Sequence, residues 1–370
     1  MINLDDIEKM RSLDTENQLG VIASWPKLME DGFYRGKEVK LSQAVKDRVT
    51  SGARLVCVCG MGGSAISGEY LSDYLSKNSF GTPILVVRGY SLPSYVGEDC
   101  LVIAISYSGN TRETLVLLHK ALEKNIPSVI ISSGGIAAEA ARKRGLTLAT
   151  LPGGYPPRAA FPIIFSTLCG VFEKLFPSQT LLEKDFLSTL PSLEEATSEL
   201  SLDIPAASNR AKQTALSWRS LIPVFITSYP SLGMRMKGQM NENSKKIAYF
   251  DLFPELMHNS AQGWKDGSVK DFLFIRIKVG TEAEELIEKT KYALELATGN
   301  GEPKLDTLLF EGSNLLSCLL HATQFVDYVS LYLAVLQGYD PSEMDIISGM
   351  KKEFELKLNR QFDVRQELLS

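Results

Sequence analysis

Apolar residues in the first half of the chain fall in short unbroken runs, RLVCVCG from Arg54, PILVVRG from Pro83, CLVIAIS from Cys100, SVIIS from Ser128 and TLATLP from Thr147. Runs this short, with little alternation, are what parallel strands buried on both faces require. Between them the spacing turns helical: SAISGEYLSDYLSK sets Ile66, Tyr70, Leu71 and Tyr74 on one face, and ETLVLLHKALEK and AAEAARKR follow. Strand alternating with helix predicts an open, doubly wound α/β sheet of about five strands.

Gly153-Gly154-Tyr155-Pro156-Pro157 breaks this rhythm, and PIIFSTLCGVFEKLF, LEKDFLSTL and SLEEATSELSL then read as bridging helices. The strand pattern resumes with IPVFITS at Ile222 and continues through IAYFDLF, DFLFIRIKV and TLLFEG, again with helices between. The expectation is two doubly wound parallel-sheet α/β domains, residues 1–178 and 179–370, with five-stranded sheets flanked by helices. The helix from Asn314 to Leu336 carries His321, Gln324 and Asp327, so it reads as a buried or interface helix rather than a membrane span. A last amphipathic helix, MDIISGMKKEFELKL, follows Pro341.

The length of 370 residues fits two domains, and 44% hydrophobic with 22% charged residues fits neither disorder nor low complexity. A net charge of −5, with 39 scattered Lys and Arg, lacks the footprint of a nucleic-acid binder and favours a small neutral or anionic metabolite. The opening MINLDDIEKMRS has no apolar core of a secretory signal, and the longest uncharged apolar stretch, Ala159 to Phe172, is interrupted by Pro162. A cytoplasmic protein is expected, without membrane or nucleic-acid partners. Five cysteines in apolar runs suggest reduced thiols, with Cys57 and Cys59 packed in the core.

Two glycine- or hydroxyl-rich turns could carry chemistry. Gly60-Met61-Gly62-Gly63-Ser64-Ala65 has GxGxxA spacing, but Arg88 stands where the acidic ribose ligand belongs, which leaves an NADP reading or a simple tight turn. Ser106-Tyr107-Ser108-Gly109-Asn110-Thr111 lies between a strand and a helix, where hydroxyls and unpaired helix N–H groups together suit a phosphate dianion. No P-loop lysine is present, so the ligand expected is a phosphate monoester. HExxH and CxxC are absent, and neither a metal nor any other cofactor is expected.

GMGGSAISGE with ISYSGNTRET resembles the sugar isomerase (SIS) domain. NENSKKIAYFDLFPELMHNSAQGW, PGGYPPRAA and DPSEMDIISGMKK are similar to motifs of the bifunctional phosphoglucose/phosphomannose isomerases, in the same order. The resemblance implies two SIS domains and a phosphate cup of Ser64, Ser106, Ser108 and Thr111 beside Gly63. It also implies an interdomain Arg158, a base at Glu242, a ring-opening His258 and a lysine at Lys351, with Lys352 its neighbour. It further implies a phosphorylated hexose substrate and a homodimer in which His258 acts across the interface. Met257 departs from the asparagine common in PELNHN and bears on substrate fit.

These residue types suit aldose–ketose isomerisation, which needs a carboxylate base, a ring-opening acid/base and positive charge near an enediolate. His258 lies in a polar turn, whereas His119 and His321 lie in apolar helical text, and Asn241 and Asn243 flank Glu242 as groups able to orient it. The expected activity interconverts glucose 6-phosphate, and mannose 6-phosphate, with fructose 6-phosphate. The rivals are a glucosamine-6-phosphate synthase-like isomerase domain and a non-catalytic phosphosugar sensor.

Overall fold

The computed structural model describes residues 2–78, 80–177, 179, 181–267, 269–280, 284–298, 304–358 and 363–369. The five runs of the first half form strands β1 (Val56–Cys59), β2 (Ile84–Val87), β3 (Leu101–Ile105), β4 (Ser128–Ser132) and β5 (Thr147–Thr150). They make one parallel sheet in the order β2-β1-β3-β4-β5. Its two faces alternate along β1. Cys57 and Cys59 join Val102, Ala104 and Ile130 in a core beneath the helix Arg112–Glu123, while Val58 on the other face meets the helix Gly62–Leu75 at Gly68. Helices on both faces bury both sides, which explains the missing alternation. All five cysteines are buried and free.

The second half forms β6 (Ile222–Thr227), β7 (Tyr249–Leu252), β8 (Phe272–Val279) and β9 (Leu305–Phe310), parallel in the order β7-β6-β8-β9. Among the described residues this sheet has four strands rather than the five expected. The next apolar segment is too long and too evenly apolar for a strand. It becomes the helix Leu315–Gln337, long and apolar enough to cross a membrane, yet its most apolar stretch is 94% buried inside the protein. Another departure is at Pro191, which should separate two helices but lies inside one, Leu182–Leu200. Fully buried Phe186 and Leu193 on either side anchor the helix and offset the hydrogen bond that proline removes.

The chain groups into two compact units, 25–187 with 344–370 and 1–24 with 188–343, where a single cut after residue 178 was expected. Both exchanges have visible causes. Val364 and Leu368 of the terminal helix enter the core of the five-stranded unit, and Arg144 Nε donates to Leu368 O at 2.8 Å. At the other terminus, Leu4 O accepts from the buried Lys212 ammonium at 2.8 Å within the four-stranded unit.

In the five-stranded unit the helices Trp25–Lys37 and Phe161–Leu175 approach to backbone contact. A Cβ on Gly170 would stand 1.9 Å from Phe33 O, and one on Gly36 2.2 Å from Thr167 O. Gly170→Ala should therefore destabilise this unit by about 1–3 kcal/mol and lower its unfolding midpoint by roughly 2–12 °C. Gly81→Ala, whose methyl would meet open space, should leave the midpoint within about a degree in the same calorimetric scan.

Candidate functional site

In the five-stranded sheet the order reverses between β1 and β3, so the helices that follow them leave in opposite directions and a crevice opens at their carboxyl ends. Gly60–Ser64 and Ser106–Thr111 lie there. The helix Gly62–Leu75 has Met61 at its N-cap and the helix Arg112–Glu123 has Thr111, and neither cap side chain bonds its helix. No cap side chain therefore competes at either helix start, a place whose dipole suits an anion. Thr111 is no ordinary cap, because its Oγ1 accepts from Ser106 Oγ at 3.0 Å while its N–H donates to Ser106 Oγ at 3.4 Å. Ser108 Oγ accepts from Asn110 N–H at 3.3 Å. Ser64 and Ser106 form the buried floor of this cup, Thr111 is half-buried and Ser108 is exposed at its rim.

Neighbours that the sequence reading did not single out hold the cup in shape. Gly109 has φ +70°, and a Cβ there would lie 1.8 Å from Gly134 O, so only glycine fits. Asn110 Oδ1 accepts from Ile136 N–H at 3.1 Å, and Ser133 Oγ donates to Tyr107 O at 2.6 Å. Tyr107 Oη donates to Pro152 O at 3.1 Å and accepts from Tyr155 N–H at 3.0 Å. Burial pushes its phenol up, so it works as a neutral bridge. Asn110 and Tyr107 lie inside the hydroxyl motif itself, which was the available signal.

The Tyr155–Arg158 turn is held beside the cup, for a Cβ on Gly63 would lie 3.7 Å from Pro157 O. Arg158 is buried, with Nη1 2.8 Å from Met344 Sδ, at the start of the helix Asp345–Leu358. The structure thus gathers Gly63, Ser64, Ser106, Ser108, Thr111 and Arg158 in one unit. Lys351, two turns along that last helix, is exposed, and the side chain of Lys352 lies outside the described residues. Arg88 Nη1 is 2.6 Å from Glu69 Oε1, an ion pair that disfavours its use for a nucleotide phosphate.

Glu242 and His258 belong to the four-stranded unit, and the structure does not bring them together within it. Glu242 ends the helix Pro230–Glu242, which returns from the carboxyl end of β6 to its beginning, where Lys246 Nζ donates to Arg219 O at 2.9 Å. His258 ends a 3-10 turn, Glu255–His258, beyond the other end of β7, where Phe253 N–H donates to Thr227 O at 3.0 Å. The four residues of β7 alone span about 13 Å. The asparagines on either side of Glu242 are engaged elsewhere. Asn241 Nδ2 donates to Lys246 O and Asn243 Nδ2 to Ser330 Oγ, so they fix backbone and helix packing rather than the carboxylate between them. His258 is exposed, and its side chain makes no hydrogen bond or ion pair with the described residues. Met257 packs against the core around Trp264 and Phe274. His321 is a packing residue, with Nε2 2.9 Å from Ser192 Oγ and burial holding its pKa down. No cluster able to hold a metal ion occurs among the described residues.

Residues 50–152 match the SIS domain family, and residues 207–354 match the bacterial phospho-glucose isomerase C-terminal SIS domain. A bifunctional phosphoglucose/phosphomannose isomerase of Aquifex aeolicus is 32% identical over 80% of this chain and 89% of its own. A D-glucosamine-6-phosphate 4-epimerase of Sulfolobus acidocaldarius is 31% identical over 61% of this chain and 69% of its own. In fold, a glucose-6-phosphate isomerase like protein from Thermus thermophilus superposes with a TM-score of 0.60 at 15% identity, covering 95% of this chain and 99% of that one.

If the cup holds a phosphate dianion, each hydroxyl removed costs a charged hydrogen bond of about 1.5–3 kcal/mol. The double substitution Ser108→Ala with Thr111→Ala should weaken binding of a sugar phosphate monoester at least tenfold in titration calorimetry. Unchanged affinity would show that the phosphate lies elsewhere.

Proposed function

The chain belongs to the bifunctional phosphoglucose/phosphomannose isomerase family, and on that premise we propose that it interconverts fructose 6-phosphate with glucose 6-phosphate and mannose 6-phosphate. The observation that supports this reading best is the hydroxyl cup at the β1/β3 switch point, whose donors suit one phosphate monoester. Both aldoses fit one mechanism, since they are epimers at C2 and share a single enediolate. The match of residues 207–354 to a phospho-glucose isomerase domain favours isomerisation over the 4-epimerase chemistry of the other relative.

The roles divide by chemistry. Glu242 shuttles the proton between C1 and C2, and His258 exchanges hydroxyl protons during ring opening, for which an imidazole is suited near neutral pH. Arg158 and Lys351 supply positive charge to the enediolate oxygens. Ser64, Ser106, Ser108 and Thr111, with the backbone at Gly63, hold the phosphate, so substrate is anchored at a point remote from the reacting carbons. None of these steps calls for a metal or a redox cofactor.

The working form is a homodimer in which His258 serves the partner's site. Two observations support this. Glu242 and His258 sit at opposite ends of β7 in one chain, too far apart for one hexose, and His258 is exposed without a partner among the described residues. The helix Leu315–Gln337, apolar as it is, gives no support, because it is buried inside its own unit. The exposed row Ile346, Met350 and Phe354 on the helix Asp345–Leu358 is the better candidate for contact between copies.

Glu242→Gln should bind fructose 6-phosphate normally yet lose about 10²–10⁴-fold in turnover and in exchange of the C1 proton with deuterated water. His258→Ala should be slow on cyclic sugar but recover on an open-chain phosphosugar that needs no ring opening. Exchange at the wild-type rate in Glu242→Gln, or an equal defect of His258→Ala on both substrates, would overturn the respective role. Mixing the two inactive chains should restore part of the activity, since one site of a mixed dimer holds both groups. A monomer in light scattering, or no rescue in verified mixed dimers, would exclude action in trans.

A further inference from the structure

Glu242 is the last residue of its helix, a place where carbonyls lack intrahelical partners. Three residues on, Lys245 has φ +54°, a left-handed conformation in which glycine or asparagine is the usual occupant. Its side chain turns back on the helix it follows. The ammonium donates to Glu242 O at 2.8 Å and Asn243 O at 3.3 Å, and equally to Asp340 O at 2.9 Å and Pro341 O at 3.3 Å. The second pair belongs to a turn that is itself held. Asp340 accepts from Thr15 Oγ1 at 2.5 Å and from Ser342 N–H at 2.7 Å through its carboxylate.

We propose that Lys245 is the positioning residue for Glu242, clamping the end of its helix to the Asp340–Pro341 turn so that the carboxylate starts from a fixed backbone. A cation suits the place twice over: it satisfies helix-end carbonyls and opposes the negative end of the helix dipole. Proton abstraction from carbon is sensitive to displacements of about 1 Å, whereas phosphate binding depends on other residues. The left-handed backbone brings the ammonium back onto these carbonyls, which accounts for a lysine where glycine would be less strained. This inference rests on Glu242 being the base.

The test uses full-length protein with fructose 6-phosphate. Lys245→Gly keeps the left-handed conformation without strain and removes the ammonium together with its aliphatic stem, which is why the cysteine variant accompanies it. We expect kcat and C1 solvent exchange to fall at least tenfold while KM changes less than threefold. Lys245→Cys should be equally slow, and alkylation to the aminoethyl thioether, verified by mass, should restore at least half of the wild-type kcat. If Lys245→Gly fails to fold, the Lys245→Cys comparison decides alone: recovery on alkylation supports the clamp and its absence overturns it. Wild-type kcat in Lys245→Gly, or a defect in KM alone, also overturns it. Glu242→Gln in parallel separates the two readings. Surviving exchange in that variant sinks the base assignment, whereas its loss beside a fully active Lys245→Gly sinks the clamp only.

Discussion

A parallel sheet whose strand order reverses must leave a gap where two helices depart in opposite directions, and the hydroxyl-lined cup lies where this chain puts that reversal, between β1 and β3. Everything else in the cup serves the gap. The two helices present uncapped first turns to it, Ser64 and Ser106 are pulled below the surface, and Gly109 settles against the Gly134 carbonyl so that Ser108 and Thr111 stand at the rim. The cup is mounted on β1 and β3, both buried on both faces.

The four-stranded unit repeats the reversal, between β6 and β8, yet its candidate chemistry sits elsewhere. Glu242 is at the amino end of the strands, on a helix that packs both on the sheet, where Gly233 lies against Phe250, and on its neighbouring helix. Arg235, two turns earlier, forms an ion pair with Asp327 of the helix Leu315–Gln337, both only 4% exposed, and Asn243 bonds Ser330 on the same helix. Burial raises the Asp327 pKa and the Arg235 charge opposes that rise, so the pair is costly to bury and costlier to break. Such a contact contributes little net stability, and with the Asn243–Ser330 bond it ties the helix Pro230–Glu242 to the helix Leu315–Gln337.

The same physics explains the discontinuous units. The described residues of both terminal segments carry apolar and hydrogen-bonding groups of their own, and each segment joins the unit that satisfies them. A boundary read from one change of rhythm along the chain cannot see this, because rhythm reports local structure and not which core a terminus completes.

Much of this protein was legible in its order of residues. Unbroken β-branched runs alternating with helical spacing determined nine parallel strands among the described residues to within a few positions, and three hydroxyls with a glycine between a strand and a helix marked the turn where the hydroxyl cup forms. These signals are local, carried by backbone geometry and hydrogen-bonding needs within a few residues. Other features were decided only by the tertiary structure. Pro191 stays inside a helix because distant side chains hold that helix on both sides of it. Asn241 and Asn243 turn away from the carboxylate between them, and Lys245 closes on carbonyls 95 and 96 positions further along the chain. Glu242 and His258, sixteen residues apart in sequence, end on opposite ends of one strand, because a helix must run back along the sheet before the next parallel strand can begin.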